Sequence, residues 1–370
     1  MSDLLYVYDA WLTDGGPAAL VIREHLMPVE GRDGVVFPAT FAAGDGFAGG
    51  YNIDGPFNGH PEAENVCLID SVGSQSNRIE PEFAKEQYQG LVPKIIIKAS
   101  EGKQVNLLEA GHRAADAIVR CTRLAEDVKT AFRGVLAGDA EPMAKIAPTS
   151  LVFGVWDSRD TQAKLPRIVG STIRALNVRR LSRGAVYTPP LDYSALEVFS
   201  EEDKAKAEGN KKSPLAQRGF VHNPASGSHG GVIATGGIRR DATLNLAALR
   251  LLKSGADTAK TLALRRYILG LSLVAFTHPS AFVGYLRQGC TLVLDPDAKP
   301  APREFTLVHP DGKRVPQTIT HDETIKFANI AKDAFKVGND RIEQFDKAAA
   351  KQDVAEAGKK DKAKNAPKTK

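Results

Sequence analysis

Cysteine is scarce. The 370 residues hold three, Cys67, Cys121 and Cys290, far apart and in no CxxC pair. That odd, scattered set excludes a disulfide framework and a cysteine-based zinc site, and favours a reducing cytoplasm. Long apolar runs are also missing: the longest, Tyr267 to Phe276, contains a glycine and a serine and reaches about half a membrane span. The opening MSDLLYVYDAWL lacks the basic, then apolar, then small-residue order of a signal peptide. The expectation is a soluble cytoplasmic protein with no membrane contact.

Catalytic signatures are equally thin. There is no GxSxG elbow, no HExxH and no phosphate-loop lysine after a second glycine. His222 and His229 are seven apart with glycine and proline between them, which is no zinc-binding spacing. Asp157 and Asp160 flank Arg159 and read as caps for the following helix, not as a two-metal nuclease centre. Isolated histidines such as His112 and His278 read as packed or solvated. No catalytic residue, metal ligand or cofactor is expected.

What is present is globular: 42% hydrophobic and 25% charged residues, ample for a large core. The net charge of +5 belongs to the end of the chain, where residues 347–370 hold eight lysines against Asp353, Glu356 and Asp361, so the remainder is neutral. Polyanion binding must therefore come from local clustering. Arg159 to Arg183 supplies it: Arg159, Lys164, Arg167, Arg174, Arg179, Arg180 and Arg183 stand against Asp160 alone.

A helix starting at Pro166 is expected, which would place Arg167, Ser171 and Arg174 on one stripe as phosphate ligands. The turn SVGSQSNR adds Ser74, Gln75, Asn77 and Arg78, groups suited to capping a helix or to touching phosphate and sugar. SGSHGGVIATGGIRR ends a glycine-rich segment with Arg239 and Arg240, either a mobile loop or a wrap for a phosphate chain.

Along the chain, residues 31–61 carry eight glycines and three prolines and read as a long surface loop. NVCLIDSV, LVPKIIIKA, SLVFGVW, Val178 to Tyr187, CTLVLD and EFTLVHPDGK read as strands. Ile118, Cys121, Ala125, Val128, Phe132 and Val135 recur at helical steps and predict one long helix between Asn106 and Leu136. Further helices are expected over Asn245–Lys253, over Thr258–Phe276 and from His321 into the tail, with disorder beyond Phe345. Residues 200–214 read as a solvated excursion. Strands alternating with helices and long polar excursions indicate an α+β sheet domain with helices on one face.

LIDSVGSQSNRIEP, then GHRAADAIVR, then TSLVFGVWDSRDTQAKLPRIVGSTIRA, then GGIRRDATLNLAALRLL, in that order from Val66 to Leu252, resemble the Cas seven-type backbone subunit of type I-G (formerly I-U) CRISPR Cascade surveillance complexes. That subunit belongs to the repeat-associated mysterious protein (RAMP) superfamily. The resemblance implies an RRM-like (ferredoxin-like) palm with large insertions forming fingers and thumb. It implies one elaborated domain over 1–346, with the loop at 31–61, a thumb at about 189–237 and the lysine-rich tail 347–370 outside it.

It also implies partners: CRISPR RNA, copies of the chain itself arranged head to tail, other Cascade subunits, and a target DNA strand reached through guide pairing. Ser74, Gln75, Asn77, Arg78, Arg159, Lys164, Arg167 and Arg174 would then line the RNA groove, with Ser171, Arg179, Arg180, Arg183, Arg239 and Arg240 completing the RNA-binding set. Type I relatives of this kind are not nucleases. The alternatives are a RAMP-type ribonuclease using Asp157, Asp160 or His222, and a subunit whose basic strip binds an acidic protein.

Overall fold

Alternation of inward and outward residues makes the first long strand, β1 (Ala19–Pro28): Leu20, Ile22, Glu24 and Leu26 are buried, while Val21, Arg23 and His25 are not. The computed structural model describes residues 3–55, 64–279 and 284–364. After β1 come β2 (Val66–Asp70), α1 (Val72–Ile79), α2 (Leu124–Leu136), the two-residue strands β3 (Val155–Trp156) and β4 (Lys164–Leu165), and β5 (Val169–Leu176). Beyond these lie β6 (Val178–Tyr187), β7 (Asn223–Ala234), β8 (Ile238–Asn245), α3 (Thr258–Thr277), β9 (Cys290–Leu294), β10 (Arg303–Val308) and α4 (His321–Phe335).

The main sheet runs β9–β1–β8–β5–β2, every neighbouring pair antiparallel, with β10 also pairing with β1. In chain order β1, β5, β8 and β9 are first to fourth, so their spatial order is 4-1-3-2. Helices connect the first to the second and the third to the fourth. That is the interleaved βαββαβ of an RRM-like, ferredoxin-like palm, and the fold is α+β.

The core lies on one face of this sheet. In α3 every residue from Tyr267 to Thr277 is buried, which explains the longest apolar run as a helix enclosed on all sides. At Gly270 a Cβ would lie 2.9 Å from the Ala328 Cα in α4, so the two helices touch where glycine permits it. Tyr267 stacks on Phe335 at 4.8 Å and donates its hydroxyl to the Leu91 carbonyl at 2.8 Å.

Beyond the sheet, β6 and β7 pair as a two-stranded arm that prolongs β5 and β8. Asn177, in the left-handed region at φ 48°, makes the joint. Residues 188–222 fill the arm's far end with short helices Glu201–Ala207 and Pro214–Gln217 around a small cluster of Ala207, Ala216 and Val221.

Several expectations are corrected. Pro166 starts no helix: Val169, Ser171, Ile173 and Ala175 alternate inward along β5, and period two prevails over the i, i+4, i+7 spacing of the polar residues. SVGSQSNR is helix α1 with Ser71 as its cap. SLVFGVW is the helix Pro148–Phe153, stopped by Gly154 at φ +76°, then β3. The 106–136 helix is continuous only as α2, because Asp116 and Thr122 divert backbone bonds before it.

The glycine-rich 226–240 segment forms much of β7 and the start of β8, joined by a turn at Thr235 and Gly236. The helix from His321 stops at Phe335, where Lys336 turns left-handed. In place of an unordered tail, Lys347–Lys364 is helical, favoured by its alanines and lysines and capped by Asp346 on the amides of Ala348 and Ala349. Of the 31–61 loop, residues 56–61 lie outside the described residues; the rest holds two-residue strands at Thr40–Phe41, Gly50–Tyr51 and Ile53–Asp54.

Candidate nucleic-acid interface

The fourteen residues expected to bind RNA separate into four groups. The first is a polar chain inside the core. Arg303 Nε lies 2.6 Å from Glu24 Oε1, and Glu24 Oε2 lies 2.7 Å from Arg240 Nη1. Arg240 Nε donates to Ser171 Oγ, which donates to Gln75 Oε1. Gln75 Nε2 and Ser74 Oγ both donate to Asp70, which also faces Arg287 at 3.0 Å and Arg78 at 3.5 Å. Glu24 and Arg240 are each 1% exposed and directly opposite across β1 and β8. Gln75, Ser171 and Arg240 are therefore core connectors, out of reach of an RNA strand. Ser74 is half-buried and Arg78 turned toward Asp70; Asn77 is exposed and accepts from Arg113.

The second group lies on the other face of the same strands. Val21, Arg23, His25, Arg174, Arg239, Asp241 and Thr243 are all exposed or half-exposed. Register places His25 opposite Arg239 and Arg239 opposite Arg174, one row across three strands. Arg239 pairs with Asp241 at 2.9 Å, and Arg174 donates to the Thr172 hydroxyl. Two arginines directly opposite on neighbouring strands repel each other.

The third group continues from that row onto the arm. Arg179, Arg180 and Arg183 are exposed on β6, and Arg180 contacts the His229 ring at 3.3 Å. The fourth group sits at the opposite end of β5. Arg159 is exposed in the turn between β3 and β4, Lys164 lies on β4, and Arg167 comes just after it. From Arg167 to Arg174 the chain advances about 23 Å at strand rise, so the strip cannot act as a single patch. Among the described residues, Arg159, Lys164, Arg167, Arg174, Arg179 and Arg180 have no carboxylate within 4.0 Å. Asp160, the strip's one acid, pairs instead with Lys129 at 3.5 Å.

Around the fourth group is a cleft of about 740 Å³ lined by His112, Arg113, Trp156, Lys164 and Arg167, among others. Arg113 is buried against Glu80 at 2.7 Å. Burial pushes the Glu80 carboxyl up to about 7, against the pull of Arg113 and the Thr149 hydroxyl. Burial, then the Arg113 charge, lowers the Arg167 pKa.

The acids Asp157 and Asp160 of the turn are engaged in local contacts. Asp157 accepts from the amides of Arg159, Asp160 and Thr161 and from the Thr161 hydroxyl. Burial opposes its charge, but those bonds win and hold its pKa below the ordinary value. Asp157 is a cap, as expected, though for a tight turn and not for a helix. Among the described residues no three His, Cys, Asp or Glu side chains converge as a metal site, and no helix is long and apolar enough to cross a membrane.

Sequence reasoning missed His25 and Arg23, though the alternation in ALVIREHLMP signals them. It also missed Trp156 and Arg113, brought together only by the fold.

No curated protein matches the chain. Residues 20–180, from β1 to the start of the arm, match the family model described as CRISPR-associated protein GSU0053, so this stretch, which holds the cleft, Arg159, Lys164, Arg167 and Arg174, is similar to a CRISPR-associated protein family.

Proposed function

We propose that the chain is a non-catalytic subunit that coats CRISPR RNA. In this reading it is a Cas seven-type backbone protein of a type I-G effector, polymerising head to tail along the guide and leaving its bases for a target DNA strand. The observation that carries the reading is Arg174, which has no carboxylate partner among the described residues, directly opposite Arg239 on the exposed face of an RRM-like sheet, with Arg179, Arg180 and Arg183 exposed on the arm beyond it. Opposed guanidinium groups there are stabilised by an anion lying across them, and a phosphate chain supplies one at every nucleotide. Similarity of residues 20–180 to a CRISPR-associated family supports guide RNA as the source of that anion. Base reading is then delegated to guide pairing.

The test is co-expression with a CRISPR array, a high-salt wash, the 260/280 nm ratio, and sizing of the extracted nucleic acid. A discrete RNA of guide length in particles far larger than one chain is the expected result. A clean monomer without nucleic acid overturns the reading. Cleavage of labelled repeat RNA that vanishes in Asp157→Ala or His222→Ala would replace it with the ribonuclease reading.

A further inference from the structure

Trp156 is a large exposed aromatic residue near the start of the basic strip. The chain has two tryptophans. Trp11 is 8% exposed, whereas Trp156 is 54% exposed, and an indole on a surface is a large apolar area left in water. Its setting is built. β3 and β4 put Trp156 and Lys164 directly opposite, with Lys164 Nζ 4.5 Å from the ring centroid. The connecting turn is pinned by the four bonds to Asp157, so the platform is rigid. Gly154, at φ +76°, lets the chain after β4 come close: a Cβ there would lie 2.8 Å from Arg167 Cγ. Arg113 holds the same glycine from behind, donating to its carbonyl at 3.2 Å.

The result is a cleft of nucleotide size whose lining holds the Trp156 ring, with Lys164 over one of its faces, and Arg167; neither cation has a carboxylate partner among the described residues. Arg113 is buried against Glu80, which leaves Arg167 as the exposed guanidinium of the lining. An aromatic face beside phosphate-binding cations is the chemistry that takes up an unstacked base together with its phosphate.

We infer that the Trp156 cleft binds one nucleotide unit, its base stacked on Trp156 and its phosphate held by Lys164 and Arg167. This deepens the RNA-binding reading above and rests on it for the natural source of the nucleotide. The arm row and the cleft are at opposite ends of β5, so the cleft is a second contact with its own selectivity for an aromatic base.

The test uses the full chain. Intrinsic fluorescence is titrated with UMP, AMP, inorganic phosphate and a short single-stranded RNA, and affinity for labelled RNA is measured in parallel by filter binding. Saturable quenching by the mononucleotides, absent with phosphate, is the expected result. Quenching by the oligonucleotide alone also supports the inference and places the nucleotide within a strand. Trp156→Ala should weaken short-RNA binding by roughly ten- to a hundredfold, Trp156→Phe far less, and Arg167→Gln should weaken the mononucleotides. RNA binding at wild-type affinity in Trp156→Ala, with no quenching in the parent protein, overturns the cleft and leaves the arm reading intact. Phosphate acting as well as UMP also overturns it. If long RNA fails to bind at all, the function proposed above falls, and the mononucleotide titration still decides the cleft.

Discussion

Arg239 and Arg240 are adjacent in sequence, and strand parity sends them to opposite faces. Arg240 goes inward to Glu24 and Ser171; Arg239 goes outward to the row with Arg174. Their substitutions should therefore separate stability from binding. Arg240→Ala leaves Glu24 buried with only Arg303 and should cost about 3–5 kcal/mol in urea unfolding. Arg174→Ala should change stability by no more than about 0.5 kcal/mol while weakening RNA binding. Equal stability losses in the two variants would refute the assignment of faces.

A pH effect belongs to His278, whose pKa is lowered to about 4 mainly by burial, with Glu82 partly opposing. Between pH about 6.5 and 4 the unfolded chain takes up a proton that the folded chain resists, so this group destabilises the fold as pH falls. Relative to His278→Gln, the wild type should lose roughly 3 kcal/mol between pH 7 and 4. The comparison cancels Glu80, whose raised pKa works in the opposite sense over part of the range. A stability difference that stays flat with pH counts against a buried, neutral His278.

At the level of elements, the arm isolates charge from packing. β6 is exposed along nearly its whole length after Val178, so Arg179→Glu, Arg180→Glu and Arg183→Glu together should leave the unfolding midpoint in place. If these residues touch phosphates, the slope of log K against log salt should flatten by about 0.7 for each phosphate of a single strand that is no longer neutralised. An unchanged slope would remove the arm from the interface.

This element was legible in the sequence, since Val178 to Tyr187 ends at two prolines and matches β6 residue for residue. α3 and β9 were legible too, as long or uninterrupted apolar signals. β5 was not, because Arg167, Ser171 and Arg174 imitate a helical stripe. Only partners distant in sequence, Arg240 and Gln75, show that Ser171 points inward. The cleft was half visible: Lys164 and Arg167 stood out as charge, but Trp156 read as part of a buried strand. Gly154 breaks that strand and turns the indole outward.

For the whole molecule, the distribution of charge matters more than its sum. Outside residues 347–370 the chain is neutral, yet among the described residues Arg159, Lys164, Arg167, Arg174, Arg179 and Arg180 lack carboxylate partners while acids such as Asp9 and Asp127 pair with arginines elsewhere. A body charged throughout would repel its own copies, with a range of about 8 Å at physiological salt. Here the strip concentrates cations with one local acid, and a polyanion bound along it would relieve their repulsion. Assembly should accordingly be RNA-driven: particle mass should rise in steps of about one chain, 39.7 kDa, as the bound RNA is lengthened. Nuclease treatment should return the particles to monomer, and raised salt should release RNA before the fold is lost. Light scattering coupled to size exclusion, run on a ladder of RNA lengths, measures this directly. Particles of one fixed mass at every RNA length, or particles that survive complete RNA digestion, would mean that protein contacts alone set the assembly and that the basic strip serves another partner.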